Sequence, residues 1–355
     1  MADTLYFSPA QLRSCAESIL LAGGSEAEEA RVVADHLVLA NLSGHDSHGI
    51  GMIPTYVRNL QKKTLVPNQR AKIVLDSGAI LAFDGCRGYG QSIGRQVMAR
   101  AIERCGDTGV VLMTLRNSHH LGRIGTYAEL ALEAGLASMH FVNVVDHQPY
   151  VAPFRGTDSR FMTNPICLSM PGSEGQPPIL LDMATSRIAA GKVRVAFNKG
   201  EDLPPGSVID GQGRPTNDSG VFARKPPGSL LPFGEHKGYG LALFAEIFGG
   251  LLSGGNTVQP ANERRGGIIN NMLTVLIDPG RLVEDDWRRQ ELEALVAHVK
   301  GSPPADPSLP VLVPGDPERA CREERAERVP VDQETWDQIR HAAESLGVDV
   351  TCLAL

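Results

Sequence analysis

The chain has 355 residues, 42% of them hydrophobic and 21% charged, with a formal net charge of -7 at pH 7. That length supports a large core and two domains, and the negative balance excludes nucleic acid and anionic membrane as expected partners, since both select basic surface. No apolar run approaches the roughly 20 residues that span a bilayer. Met1-Ala2-Asp3-Thr4 lacks the basic and apolar run of a signal peptide. The cysteines, at 15, 86, 105, 167, 321 and 352, form no C-x-x-C pair. They read as reduced, mostly buried thiols, so a cytoplasmic location is expected.

The first predicted helix opens at Ser8-Pro9-Ala10-Gln11, with a capping serine, a proline at the first helical position and a glutamine to complete the box. Leu12, Cys15 and Ile19 form its apolar stripe, and Gly23-Gly24 ends it. A second helix begins at Ser25 with a capping box through Glu28. Its stripe is Val33, Leu37 and Ala40, and it runs directly into Gly44-His45-Asp46-Ser47-His48-Gly49. A third begins near Pro54 and ends before Pro67. Residues 73–83 read as two short strands and 92–105 as a helix. Gly88, Gly90 and Gly94 suggest a dinucleotide turn, but the spacing misses G-x-G-x-x-G by one residue. No acidic residue closes a second strand about 20 residues on either, so a turn and a helix start explain the glycines better.

Residues 110–115 read as a buried strand, 116–125 as a loop, Thr126 to Gly135 as a helix capped through Glu129, and 136–145 as another strand. This unit has the length of a parallel crossover. Its loop carries His119, His120 and Arg123 to a strand's carboxyl end, where ligands bind, and Arg123 suits a phosphate. Thr163-Asn164-Pro165 precedes the strand Ile166–Met170, and the strand Ile179–Met183 runs into Ala184-Thr185-Ser186. Small hydroxylic residues there allow a flat ligand to approach. Residues 207–213 look like a hairpin, and the glycine-punctuated loop 232–240 leads into an apolar helix over 241–252. Asn270-Asn271 precedes a strand over 272–277. An amphipathic helix over 285–299, a proline-rich connector to Val313-Pro314-Gly315-Asp316 and a helix over 332–346 complete the chain.

Two histidine-bearing loops carry the chemistry. Histidine titrates nearest neutrality, so His48 is a candidate proton donor or acceptor, weighed against a structural histidine closing a turn. His45 and Asp46 suit scaffold and turn-cap roles. His45-x-x-His48 with His119 and His120 offers four imidazoles to a metal, the basis of an alternative reading as a metal-dependent hydrolase. Adjacent histidines rarely face one ion and no thiolate pair accompanies them, so no metal is expected. Lys237, in His236-Lys237-Gly238-Tyr239-Gly240, is either a solvated lysine or a ligand contact.

Taken in order, several segments resemble the malate/L-lactate dehydrogenase family that lacks a Rossmann fold. They are Gly44–Gly49 with Pro54 and Tyr56, Ser118-His119-His120-Leu121-Gly122, Thr163-Asn164-Pro165 and Leu181-Asp182-Met183-Ala184-Thr185-Ser186 with Gly191-Lys192. Leu231-Pro232-Phe233-Gly234, Lys237–Leu241 and Val313-Pro314-Gly315 continue the series. The resemblance implies an α/β, mixed-sheet fold without a Rossmann domain, its helical N- and C-terminal segments packed together. It implies one domain from 1–120 with 285–355 and a dinucleotide-binding domain over 121–284. It further implies a homodimer with the site near the subunit interface, and hydride transfer between NAD, or NADP, and a 2-oxo or 2-hydroxy acid. A cyclic-imine or ureidoglycolate-type reductase is the alternative within the family. By position, His48 matches the proton donor, Ser47 its support and His120 the second active-site histidine. His48, Gly122, Arg123, Ile124, Asp182, Met183, Ala184, Thr185, Ser186, His236, Lys237, Asn271, Pro314, Gly315 and Asp316 fall where relatives hold the dinucleotide. Thr163 and Asn164 fall near the substrate. Many relatives carry an arginine four residues after the catalytic histidine to clamp a carboxylate; here Met52 stands there. Arg123 is the first candidate to replace it. Met52 also suits an apolar substituent, so a bulky or aryl 2-oxo acid is expected.

Overall fold

The computed structural model describes residues 4–350, so Cys352 lies outside the described residues. Strand β1 (Thr4–Phe7) leads into helix α1 (Pro9–Ala22) through the expected capping box: the Ser8 hydroxyl accepts from the Gln11 amide, and the Gln11 side chain accepts from the Ser8 amide. The second box does not form. Glu26, not Ser25, precedes α2 (Ala27–Leu42), and its amide donates to Asn68 Oδ1 at 2.7 Å. A side chain from a distant loop thus takes the place of a local cap. α3 (Ile53–Gln61) follows the Ser47–Met52 segment. The stripes of α1 and α2, with Ile53, Tyr56 and Val57, bury against C-terminal residues Val329, Val331, Trp336 and Ile339. Helical segments from both ends of the chain share this core, and the sequence left one of its parts unread, the pairing of β1 with β12 (Val329–Asp332).

The second core lies on a mixed seven-stranded sheet in the order β2-β3-β4-β11-β5-β6-β7. Its strands are β2 (Lys72–Ser77), β3 (Ile80–Asp84), β4 (Val110–His119), β5 (Ala137–Val145), β6 (Ile166–Met170), β7 (Ile179–Met183) and β11 (Ile269–Ile277). The sheet takes strands from both sides of residue 120. The one parallel pair, β3 with β4, is bridged by α4 (Gly90–Thr108). The crossover expected between residues 110 and 145 is different: β4 and β5 run the same way, but β11 lies between them, antiparallel to both. Pairing of Ile269 with His119 also carries β4 four residues past its predicted end and shortens the loop before α5 (Gly125–Glu133). Glu129 does not cap that helix; it pairs with Arg123 and Arg322. Gly90 and Gly94 lie where a Cβ would overlap the His120 carbonyl and the Tyr127 ring, so these glycines admit close packing, not a phosphate.

A third, smaller core gathers Val151, Val193, Leu203, Val208, Val221 and Leu230. It joins α6 (Ala190–Lys199) to a small sheet of β8 (Val208–Ile209), β9 (Pro215–Thr216) and β10 (Ser229–Leu230), so the hairpin forms as expected. α7 (His236–Ala245) begins five residues before the predicted helix and continues as a π-helix over Glu246–Leu251. α8 (Asp285–Lys300) and α10 (Gln333–Glu344) match expectation, α9 (Asp316–Glu324) was unread, and Asn270 and Asn271 lie inside β11. No helix among the described residues is long and apolar enough to cross a membrane.

Candidate active site

The glycine-flanked segment after α2 folds into two 3-10 turns, Asp46–His48 and Ile50–Met52. Asn41 fixes them: its Oδ1 accepts the Ile50 amide at 2.7 Å and its Nδ2 donates to Asp46. Arg325 pairs with Asp46 at 2.8 Å, and His45 Nε2 lies 3.2 Å from Glu318 Oε1. His45 and Asp46 therefore act as scaffold, tying the segment to α9 and the turn after it.

His48 is half-buried and turned toward the second histidine loop. Its Nδ1 is 3.2 Å from His120 Nε2, with the rings stacked at a centroid distance of 5.3 Å. His120 Nδ1 lies 2.8 Å from the Tyr56 hydroxyl, which accepts from Gln91 Nε2 at 2.6 Å. Three buried side chains, drawn from the loop after β4, from α3 and from α4, thus back His48, and its Nε2 has no hydrogen-bond partner among the described residues. Burial, followed by the nearby charges of His45 and Arg123, pushes the His48 imidazole down to about 4. His120 also lies well below its ordinary value, burial being the leading cause, and burial pushes the Tyr56 phenol up. All three are neutral near pH 7. Tyr56 and Gln91 carry a role that sequence reasoning missed; Tyr56 matched the family, but the contacts across α3, α4 and the loop depend on tertiary packing.

The remaining histidines diverge. His119 Nε2 faces Asn59 at 3.0 Å, and its ring lies edge-on to Tyr56 instead of joining the His48–His120 pair. Among the described residues no group of three metal-ligating side chains converges, and His45, His48, His119 and His120 are directed at different partners. The metal-hydrolase alternative loses its ligand set.

The other expected site residues fall into two groups. Met183, Ala184, His236, Lys237, Pro314 and Asp316 retain exposure. They are brought together because Phe233 donates its amide to Thr185 O at 3.1 Å and Leu180 donates to Pro314 O. Gly238 lies where a Cβ would press on Thr185 O, and Gly315 takes a left-handed φ of 96° beside β7. Gly122, Ile124, Asn164, Thr185, Ser186 and Asn271 form the second, buried group. Asn271, Asn143, Glu246 and Asn164 are joined by amide and carboxylate hydrogen bonds, and Thr185 bonds to the Thr163 and Asn164 carbonyls. Asn164 Oδ1 has no hydrogen-bond partner. Arg123 is 1% exposed, its Nη1 3.0 Å from Glu129, and its backbone amide donates to His36 Nε2. Gly125 donates to Asp182 Oδ2 at 2.6 Å. Ser47 packs against α6, where a Cβ on Gly191 would approach its Cβ to 2.6 Å. Met52 packs against the helical core.

Residues 7–340 match the family model described as malate/L-lactate dehydrogenase. The chain belongs to the malate/L-lactate dehydrogenase family. It is 46% identical over 345 residues to the Escherichia coli (strain K12) hydroxycarboxylate dehydrogenase B, covering 96% of this chain and 94% of the relative. It is 43% identical over 338 residues to an L-lactate dehydrogenase from Cupriavidus necator, covering 95% and 97%. A solved malate/lactate dehydrogenase-type structure from Escherichia coli superposes with a TM-score of 0.93 at 45% identity, covering 98% of this chain and 97% of that one. Membership makes the chain a 2-hydroxyacid dehydrogenase-type oxidoreductase with a mixed α/β fold, and it implies a nicotinamide cofactor.

Proposed function

We propose that this family member transfers a hydride between a 2-hydroxy acid and NAD, or NADP, with His48 moving the hydroxyl proton. The observation that carries the reading is the hydrogen-bonded chain behind His48, which occupies Nδ1 and leaves Nε2 for the reacting oxygen. The residues fit the cofactor: Met183, Ala184, His236, Lys237 and Pro314 are open, and Asn164 Oδ1 is an unpartnered acceptor. These residues, with His48, Gly122, Arg123, Ile124, Asp182, Thr185, Ser186, Asn271 and Asp316 in contact or in support, would hold it. When bound, the nicotinamide ring supplies the hydride acceptor or donor.

The chain of side chains has two neutral proton arrangements. With Gln91 donating to Tyr56, the phenol donates to His120 Nδ1, His120 Nε2–H donates to His48 Nδ1, and His48 carries its proton on Nε2, where it can hydrogen-bond a substrate oxygen. With the Gln91 amide turned, its Oε1, which has no partner, accepts the phenol proton. His120 then donates to Tyr56, His48 donates to His120, and Nε2 of His48 is a bare base. The second state suits oxidation of a 2-hydroxy acid: Nε2 takes the hydroxyl proton, and His48 becomes an imidazolium whose Nδ1–H is held by His120. Reduction of a 2-oxo acid runs the same step backward, the imidazolium, formed by uptake of a solvent proton, giving its Nε2 proton to the forming alkoxide. Ser47, with no partner among the described residues, supports the substrate oxygen.

The half-buried Met52 favours bulky or aryl 2-oxo acids over pyruvate. Exposed Phe244, Leu251 and Leu252, running down α7 and the π-helix, suit a homodimer interface. The test is a panel of 2-oxo and 2-hydroxy acids assayed with NADH, NADPH and their oxidised forms, in wild type and His48→Ala. Turnover in wild type and its loss in a folded His48→Ala protein are expected. Full turnover in the variant would remove His48 from the chemistry, and comparable turnover of pyruvate and phenylpyruvate would remove the preference for bulk.

A further inference from the structure

The substrate class leaves one charge unanswered. A 2-hydroxy acid carries a carboxylate on the carbon that bears the hydroxyl, and Met52 offers it no cation. Arg123 sits in the neighbouring loop, but it is buried and paired with Glu129. Arg325 is committed to Asp46 and the Asn41 carbonyl, and Arg58 to Thr55.

Helix α6 presents a different arginine. Gly191 packs on Ser47, and one turn later Arg194 lies on the same face. Its Nη2 is 3.7 Å from the place a Cβ would take on Gly51, which puts the guanidinium beside the residue preceding Met52. Arg194 is exposed and has no hydrogen bond or ion pair among the described residues. A guanidinium is always charged, and its planar fork matches two carboxylate oxygens at once. We propose that Arg194 binds the carboxylate of the 2-hydroxy acid, supplying from α6 the cation that position 52 lacks. The assignment rests on the proposed function. It explains why Gly191 is bare: the close approach of α6 to Ser47 brings the guanidinium alongside the catalytic segment. The same helix follows the Asp182–Ser186 segment by a few residues, so one element spans substrate and cofactor sides.

The test is Arg194→Gln and Arg194→Lys in the full chain, with KM and kcat for a 2-hydroxy acid that wild type turns over, and dinucleotide affinity from NADH fluorescence. Arg194→Gln is expected to raise KM about 10²-fold or more with unchanged NADH affinity and thermal midpoint, and Arg194→Lys to fall between. Wild type should prefer the acid to its neutral amide, and Arg194→Gln should lose most of that preference. Added guanidinium should restore part of the activity. A KM within twofold of wild type, or an undiminished preference for the acid over the amide, overturns the assignment. A wild type inactive on every 2-hydroxy and 2-oxo acid would instead refute the proposed function, a result distinct from either.

Discussion

Removing one oxygen, by Tyr56→Phe, tests the chain behind His48. Tyr56 is fully buried, and its hydroxyl bridges His120 Nδ1 at 2.8 Å and Gln91 Nε2 at 2.6 Å. Phenylalanine keeps the ring and its packing against Tyr89 and His119 but leaves two buried polar groups without partners. Each costs about 1–3 kcal/mol, so the thermal midpoint should fall by several degrees. The effect on chemistry is separate. Without the phenol, nothing fixes which nitrogen of His120 carries the proton, and His120 no longer holds His48 in one state. A hydrogen bond to a charged imidazole is worth ~1.5–3 kcal/mol, which corresponds to roughly 10–10²-fold in kcat. The assay is steady-state oxidation of a 2-hydroxy acid, with NADH affinity measured separately, at a temperature where the variant is folded. A kcat within twofold of wild type, beside a lowered midpoint, would show that the chain stabilises the fold without serving the reaction. Gln91→Leu should act in the same direction, and the double variant should lose less than the product of the two single losses, because both act through His120.

The lowered His48 value predicts the pH dependence of oxidation. A base works when unprotonated, so kcat/KM should stay level as pH falls below 6.5 and decline only toward about 4; a limb near 6.5 would contradict the buried, coupled site. His36, His119 and His140 are each pushed to about 3, chiefly by burial. The unfolded chain takes up these protons below about 6.5 while the folded one does not, so their stability is present above that pH and is lost as pH falls toward 3. Urea unfolding at pH 5.5 should give a stability lower than at pH 7.5 by roughly 1 kcal/mol per histidine. Gly191→Val should lower activity by displacing Ser47, whose Cβ lies 2.6 Å from the site of the new Cβ, with circular dichroism unchanged. Asp332→Ala should lower stability by about 1 kcal/mol in urea unfolding, because Asp332 accepts from the Thr335 amide and hydroxyl at the start of α10.

Local signals were legible where the chain satisfies itself locally. Ser8, Pro9 and Gln11 define α1 because every partner lies within one turn. The box at Ser25 looked equally good in sequence and failed because Asn68 competes for the Glu26 amide from across the fold. The same reason hid the topology. Apolar runs at 110–115 and 136–145 announce strands, but nothing in them says that β11, more than a hundred residues later, inserts between them. α6 escaped because Val193 and Val195, beside Gly191, weaken the helical pattern, and its stability comes from packing on the third core. The histidine loops were found because composition alone marks them. Their second partners, Tyr56 and Gln91, sit on helices whose sequence is accounted for by packing.

The two arginines show what sequence proximity leaves out. Arg123 is attractive because it stands three residues after His120, in the loop expected to meet the ligand. In the fold that proximity works against it. The turn buries the side chain between α5 and β7, where Glu129 pairs with it and Asp182 lies close by. Its pKa stays high despite burial because those carboxylates outweigh the desolvation that would lower it. A substrate carboxylate would have to compete with Glu129 for a guanidinium already neutralised. Arg194 is far from either histidine in sequence, yet it reaches the segment that holds His48 and arrives without a partner among the described residues. What selects a clamp is a charge that the fold leaves free at the right place, and only the packing of α6 on Ser47 and Gly51 shows where that is.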